Sequence, residues 1–141
     1  MILADVNVLI YAFRSGCQDH ARYKAWLEDI VNGPSAYGMS PQILASVARI
    51  CTHPRIFAQP SVIGEVLQYC GALLTAPNAT IIVPGQRHWP LFERLCLEAK
   101  ANGNLVQDAW HAALAIEAGC EWITTDRDYA RFTGLNWRSP F

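Results

Sequence analysis

The sequence predicts a single α/β domain in which helices cover both faces of a mostly parallel sheet, a three-layer α/β/α arrangement. Short apolar segments alternate along the chain with longer segments of helical periodicity. That alternation is typical of parallel strands that are buried on both faces. The 141 residues are 52% hydrophobic and 16% charged, which suits one compact core. We therefore expect residues 1–141 to form one domain without an internal repeat or linker.

Residues 1–75 are expected to hold two strands and four helices. The predicted strands are residues 2–5 and 37–39, and the predicted helices are residues 7–14, 19–31, 41–51 and 62–74. Ser40 followed by Pro41 is an expected N-cap with proline in the first turn, and Ser61 is the expected cap of the fourth helix. Helical spacing places five apolar side chains of the second helix on one face: Ala21, Tyr23, Trp26, Leu27 and Ile30.

Residues 76–141 are expected to continue the alternation. The predicted strands are residues 80–83 and 122–125, and the predicted helical segments are residues 90–101, 107–118 and 129–132. Branched side chains favour the first of these strands. Asn102-Gly103 and Gly119 are expected to end the two longer helices, because glycine adopts the left-handed conformation that follows a last helical turn.

Aspartates stand where these predicted elements begin or end. Asp5 ends the first strand, Asp126 ends the last predicted strand with Asp128 beside it, and Asp108 opens an alanine-rich helix. Because ligands of parallel sheets bind beyond the carboxyl ends of the strands, we expect these side chains to share one edge. Carboxylates that meet repel one another unless a cation lies among them, and Mg²⁺ or Mn²⁺ is the natural occupant. The sequence therefore predicts a metal-dependent nuclease site.

Each acid also has a structural alternative. Asp5 could N-cap the helix that follows it, although Asn7 could fill that role equally well. Asp108 could be a first-turn acid stabilised by the helix dipole, although helical spacing places it on the small, buried face of its helix. One of Asp126 and Asp128 is expected to cap the short helix after them, which leaves the other free.

Other polar and aromatic residues near the acids are left open. The hydroxyl of Thr124 could orient a carboxylate or bond a metal-bound water, or Thr124 could serve only as a branched strand residue. His111 could ligate a metal, although a hydrogen-bonded helix histidine is the commoner role. Trp89 and Trp137 are left open between packing and stacking on bases.

Composition excludes several other classes. Net charge is −1, so no overall basic field indicates nucleic acid, but nine of the eleven basic residues are arginine, the better bidentate phosphate partner. Five scattered cysteines form no Cys-x-x-Cys pair, which fits a reducing cytoplasm. The apolar start carries Asp5 and Asn7 and no basic segment, so we expect neither a signal peptide nor a membrane span. No phosphate-binding glycine loop or Gly-x-Ser-x-Gly turn is present.

Four segments resemble the PIN-domain ribonucleases of the VapC toxin family. They are residues 3–12 (LADVNVLIYA), 48–57 (ARICTHPRIF), 104–115 (NLVQDAWHAALA) and 123–132 (ITTDRDYARF), the last followed by Gly134-Leu135-Asn136-Trp137. The order and spacing of these segments span nearly the whole chain and are more specific than any one motif.

The resemblance implies a PIN-like fold and a Mg²⁺- or Mn²⁺-dependent endoribonuclease that cuts tRNA or rRNA. It also implies inhibition by a VapB-type antitoxin and a homodimer. Asp5, Asp108 and Asp126 match the metal-binding acids of the family, and Asp128 matches a less constant position. One departure concerns Ser46, which stands where many members carry a further Glu, so the site has fewer charges with which to hold metal.

The expected chemistry is metal-assisted phosphodiester hydrolysis. Asn7 and Thr124 are expected to support the acids, and three arginines are candidate phosphate contacts from their proximity in sequence: Arg14, Arg49 and Arg127. The first alternative is a weakened module that binds RNA or protein without cutting. A second is a phosphate-handling receiver or phosphatase, which is disfavoured because Asn7 follows Asp5 at the second position and no lysine ends a strand.

Overall fold

A five-stranded sheet, parallel throughout, forms the centre of the computed structural model, which describes residues 1–141. The strands are β1 (Ile2–Ala4), β2 (Tyr37–Met39), β3 (Ala79–Ile81), β4 (Glu121–Ile123) and β5 (Trp137–Arg138), in the order β3-β2-β1-β4-β5. Strand β1 pairs with β2 on one side and with β4 on the other. The α/β class and the parallel sheet are confirmed, and β5 is an addition that the sequence did not predict.

Six helices cover the sheet. They are α1 (Val6–Phe13), α2 (His20–Asn32), α3 (Pro41–Cys51), α4 (Ile63–Thr75), α5 (His88–Ala99) and α6 (Asn104–Ala118), with a 3₁₀ helix at Arg127–Arg131. The chain adds β2 and β3 on one side of β1 and then returns to add β4 and β5 on the other. Because such crossovers are right-handed, this reversal places α1 to α4 on one face and α5 and α6 on the other. The three-layer arrangement is therefore confirmed.

Alanines allow α6 to lie close against the sheet. Ala109, Ala112, Ala113 and Ala115 are fully buried, as is Leu114 between them. Small side chains permit this close approach, and the buried core then extends through β1 and β4. This packing fixes the distance of α6 from the end of β4, where the candidate acids lie.

Local signals set some helix boundaries and miss others. Ser40 caps α3 by accepting a hydrogen bond from the backbone N–H of Ile43, as predicted. Ser61 does not cap α4, because its hydroxyl accepts from Arg14 and Val62 occupies the cap position without a side-chain bond. Ala21 is exposed, so the predicted inward face of α2 is narrower than expected.

The predicted end of α5 at Asn102-Gly103 was also wrong. Lys100 ends α5 in the left-handed conformation, with φ of 49°, and α6 begins at Asn104, earlier than its apolar pattern indicates. Gly119 ends α6 in the left-handed conformation, as predicted. No helix of the structure has the length and apolar character needed to cross a membrane.

Candidate functional site

Three of the predicted aspartates line one cleft at the carboxyl edge of the sheet. The cleft is lined by Asp5, Val6, Asn7, Ser46, Arg49, Ile50, Ile56, Asn104, Gln107, Asp108 and Asp126. We call it the acid cleft. It lies beyond the ends of β1 and β4, where strand order reverses, which is the usual ligand position in sheets of this kind. The predicted convergence of Asp5, Asp108 and Asp126 is therefore observed.

Asp5 is both a helix cap and a cleft residue. It follows β1, and its Oδ1 accepts a hydrogen bond of 2.7 Å from the backbone N–H of Val6 at the start of α1. Its Oδ2 accepts a 2.6 Å hydrogen bond from the hydroxyl of Thr124, and its own N–H donates to the carbonyl of Ile123 at 2.9 Å. The alternative that Asn7 caps this helix is wrong, since Asn7 lies inside α1 with an exposed side chain lining the cleft.

The charge of Asp5 is held in an unfavourable place. The pKa of the Asp5 carboxyl is raised to about 6, and burial is the largest cause. The hydrogen bonds from Thr124 and Val6 lower this pKa, and the charges of Asp108 and Asp126 raise it. Only 5% of Asp5 is exposed. A cation in the cleft would relieve both the repulsion and the loss of hydration.

Asp108 lies in the second turn of α6, so the first-turn interpretation is wrong. Helix α6 begins at Asn104 and has no acid in its first turn. The Oδ1 of Asp108 accepts a hydrogen bond of 3.2 Å from the hydroxyl of Tyr129. Burial is the main cause that raises the pKa of Asp108, followed by the nearby charges of Asp126 and Asp128, while the bond from Tyr129 lowers it.

A chain of hydrogen bonds runs behind Asp108. Tyr129 must donate to the carboxylate, so its oxygen can accept from Nδ1 of His111, 3.5 Å away, and Nε2 of His111 then accepts from the side-chain amide of Gln107 at 3.2 Å. Burial lowers the pKa of His111 to about 4, which keeps the ring neutral. The chain therefore has one direction, from amide to imidazole to phenol to carboxylate.

Tyr129 and Gln107 were missed as site residues in the sequence. Tyr129 is 1% exposed, and a buried phenol needs a hydrogen-bond partner, but this burial is seen only in the folded chain. Gln107 and His111 are four apart on α6, the spacing at which helix side chains meet. His111 is a buried, hydrogen-bonded helix histidine, the commoner of its two predicted roles.

Asp126 both lines the acid cleft and caps the 3₁₀ helix, whereas the sequence predicted that one of Asp126 and Asp128 would be the cap and the other would be free. Its Oδ1 accepts from the N–H of Asp128 at 2.9 Å as the cap of the 3₁₀ helix, and its own N–H donates to the hydroxyl of Thr124 at 3.0 Å. Asp128 is exposed, does not line the acid cleft, and has Oδ1 3.9 Å from Nε of Arg131. Thr124 thus orients Asp5 and fixes the backbone of Asp126.

The three candidate arginines lie in three different places. Arg49 lines the acid cleft. Arg14 lies outside it, because its guanidinium donates to the hydroxyl of Ser61 and the carbonyl of Gln59 and lies 3.7 Å from the centre of the Phe57 ring. Arg127 lines a neighbouring cavity. Only Arg49 is therefore placed beside the acids.

The donor set fits a hydrated divalent ion better than one fully enclosed by protein. No group of three or more His, Cys, Asp and Glu side chains is arranged to hold a single metal ion among them. Mg²⁺ keeps several of its waters and is usually bound through one or two carboxylates, so direct contact with three is unnecessary. Ser46 lines the cleft with a hydroxyl rather than a fourth carboxylate.

Known proteins resemble this chain in sequence and in fold. The sequence matches the family model of the PIN domain over residues 2–135. It is 41% identical over 140 residues to the VapC ribonuclease Mb2897 of Mycobacterium bovis, covering 99% of this chain and 95% of that protein.

Two solved structures share the fold across nearly their whole length. The VapBC2 structure from Rickettsia felis, bound to a promoter DNA fragment, has a TM-score of 0.71 at 17% identity and covers 99% of this chain and 98% of that one. A toxin-antitoxin complex from Klebsiella pneumoniae has a TM-score of 0.67 at 22% identity and covers 100% and 98%.

Proposed function

Because this chain belongs to the PIN-domain family, among the VapC ribonucleases, we propose that it is a Mg²⁺- or Mn²⁺-dependent endoribonuclease toxin that cleaves structured RNA, either tRNA or rRNA. The observation that carries the proposal is the meeting of Asp5, Asp108 and Asp126 in one cleft at the carboxyl edge of the sheet. A raised pKa at Asp5 and Asp108 supports it, because carboxylates held together at a cost are typical of functional sites.

The proposal gives different tasks to the acids, the bound ion and Thr124. Asp5, Asp108 and Asp126 would hold the ion directly or through its waters, and Asp128 would contribute its charge from outside the cleft. The bound ion would supply an activated water and neutralise charge on the scissile phosphate. Thr124 keeps the carboxylate of Asp5 in one orientation through the bond to Oδ2.

Neighbouring side chains complete the cleft. Arg49, in the last turn of α3, also lines the cleft and would offer its guanidinium to the phosphate. Asn7 offers an amide beside the acids and is exposed to an arriving strand. Nucleic acid would therefore meet one cation and the amides of Asn7, Asn104 and Gln107 next to the metal ligands.

A second candidate is a weakened PIN-fold module that binds RNA or protein without cutting. Ser46 favours it, because it places a hydroxyl in the cleft where the family resemblance leads us to expect a carboxylate. A metal titration separates the two. Cleavage of a structured RNA that requires Mg²⁺ or Mn²⁺ supports the nuclease, while neither cleavage nor Mn²⁺ binding at high protein concentration supports the module.

We further propose a VapB-type antitoxin as inhibitor, a homodimer and a cytoplasmic location. The VapC relative and the toxin-antitoxin neighbour from Klebsiella pneumoniae support the first of these. Co-expression with a small protein encoded by a neighbouring gene, as the candidate antitoxin, followed by purification of the complex and an RNA cleavage assay, tests it. The antitoxin should co-purify and suppress cleavage, and a partner that leaves cleavage unchanged would contradict the proposal.

Replacing Tyr129 with phenylalanine tests the hydrogen-bond chain behind Asp108. Tyr129→Phe removes one hydroxyl and leaves the carboxylate free to rotate, so we expect cleavage or Mn²⁺ affinity to fall about 10- to 100-fold, as for other partners of metal ligands. The free energy of unfolding should fall by only about 1 kcal/mol. Cleavage rates, Mn²⁺ titration and thermal unfolding measure the three quantities.

Tyr37→Phe is the matched control for this substitution. Tyr37 is also 1% exposed, and its hydroxyl donates to the carbonyl of Leu73 at 2.7 Å, away from the acid cleft. It should lose similar stability and keep full cleavage. Equal loss of cleavage in both variants would show that Tyr129 acts only through stability.

A further inference from the structure

A second cavity lies beside the acid cleft and has the opposite charge. It is lined by Thr124, Thr125, Arg127, Ala130, Trp137, Arg138 and Ser139, and we call it the Trp137 cavity. Its volume of about 590 Å³ is within the range of small-molecule sites. Two guanidinium groups and no carboxylate line it, whereas three carboxylates line the acid cleft.

The two arginines of the Trp137 cavity differ in how they are held. Nε of Arg138 donates to Oε1 of Glu121 at 2.5 Å, and its Nη1 donates to the carbonyl of Ser139, so its orientation is fixed and its charge is paired. Arg127 is exposed and takes part in none of the ion pairs of the structure. The charge of Arg127 is therefore free to bind an anion.

Trp137 gives the cavity an aromatic wall. It lies in β5, where it pairs with Trp122 of β4, and it is partly buried against the core. The ring is thus anchored on one side while it lines the cavity on the other. Aromatic rings held in this way stack on bases of every type, and an adjacent arginine adds a phosphate contact.

One short wall separates the two cavities. Thr124 lines the Trp137 cavity while its hydroxyl holds Asp5 in the acid cleft. Asp126 lines the acid cleft, and the next residue, Arg127, lines the Trp137 cavity. A polynucleotide that crosses residues 124–127 would therefore have one phosphate beside the acids and its neighbouring nucleotide in the Trp137 cavity.

We propose that the Trp137 cavity binds the nucleotide next to the scissile phosphate, with its base on the indole of Trp137 and its phosphate on the guanidinium of Arg127. The subsite rests on the proposed function, because it needs an RNA strand in the acid cleft. It gives the chain a single-stranded contact next to the cut, of a kind that tolerates any base.

Binding of a fluorescein-labelled single-stranded RNA oligonucleotide in EDTA tests the subsite without cleavage. Arg127→Ala and Trp137→Leu should each weaken binding at least about fivefold, since stacking of one base, or one charge-assisted hydrogen bond to a phosphate, contributes about that much or more. Arg131→Ala is the control, because Arg131 is exposed on the same 3₁₀ helix, lies outside the cavity and removes the same charge. It should change affinity by less than about twofold.

The outcomes separate the subsite from the proposed function. Wild-type binding that Arg127→Ala and Trp137→Leu leave unchanged overturns the subsite alone. Equal weakening by Arg127→Ala and Arg131→Ala also overturns it, because general charge would then explain the effect. Wild-type protein that binds no RNA in EDTA overturns the subsite, while the proposed function is overturned separately by the absence of Mg²⁺- or Mn²⁺-dependent cleavage of structured RNA. Arg127→Ala keeps the test decisive if Trp137→Leu unfolds.

Discussion

Asp5→Asn is expected to reduce RNA cleavage at least about a hundredfold while making the folded chain more stable. Mutation of residues that only hydrogen-bond to metal ligands already reduces metal affinity or activity 10- to 100-fold. Loss of the charge of a ligand itself should therefore have at least that effect. The amide oxygen of asparagine can still cap α1 while its NH₂ group donates to the hydroxyl oxygen of Thr124, so the fold should be kept. Cleavage rates at saturating Mn²⁺ and thermal unfolding measure the two effects.

The gain in stability follows from the raised pKa of Asp5. Its pKa is about 6 in the folded chain against an ordinary 3.8, so the folded state binds the proton more tightly than the unfolded state. The ionised carboxyl therefore lowers the free energy of unfolding, and this loss is absent below pH 3.8 and grows as the pH rises towards 6. At neutral pH the loss has its full value of about 3 kcal/mol.

Removing the charge of Asp5 should recover part of that free energy at pH 7 and none at pH 3.5. We expect the unfolding midpoint of Asp5→Asn to rise by roughly 4 to 10 °C at neutral pH in EDTA. Asp29→Asn is the matched control, because Asp29 is exposed on α2, and it should change neither cleavage nor stability. Cleavage at the wild-type rate in Asp5→Asn would remove Asp5 from the metal site.

Mn²⁺ is expected to stabilise the wild-type chain and to do so less in acid. At a concentration about a hundredfold above its dissociation constant, the ion should add about 2.7 kcal/mol to the free energy of unfolding. Below pH 6 the ion must displace a proton from Asp5, so its affinity should fall about tenfold for each further pH unit. Thermal unfolding with and without Mn²⁺ at pH 7.5 and pH 5 measures this difference.

Asp5→Asn and Asp29→Asn again distinguish the site from the surface. The shift produced by Mn²⁺ should disappear in Asp5→Asn and persist in Asp29→Asn, whose exposed carboxylate lies away from the acid cleft. The same shift in Asp5→Asn as in the wild type, or equal shifts at pH 5 and pH 7.5, would place the ion outside the acid cleft.

Local sequence signals determined most of the elements of the fold. Ser40 and Pro41 fix the start of α3 because both act on backbone groups within one helical turn, and Gly119 ends α6 for the same reason. Strand β5 escaped detection because Trp137 and Arg138 are only two residues, too few to show a period. The bond from Arg14 to Ser61 joins residues 47 apart and so left no local trace.

Parts of the candidate site were also predictable from local sequence, and other parts were not. The positions of Asp5 and Asp126 after apolar strands were enough to predict their convergence, because parallel strands end at the same edge. The role of Asp128 was harder to predict, because Asp126 and Asp128 are equally plausible caps of the short helix when only the sequence is known. Only the folded backbone of the 3₁₀ helix assigns the cap to Asp126 and leaves Asp128 exposed.

The sequence by itself determined that three carboxylates would face one edge of a parallel sheet, because strand ends and helix starts depend on neighbouring residues. Only the tertiary structure decided what holds those carboxylates in place. Thr124 bonds Asp5 across 119 residues, and Tyr129 bonds Asp108 across 21. Such pairs depend on how distant segments pack, and packing is a property of the whole core that no local pattern contains.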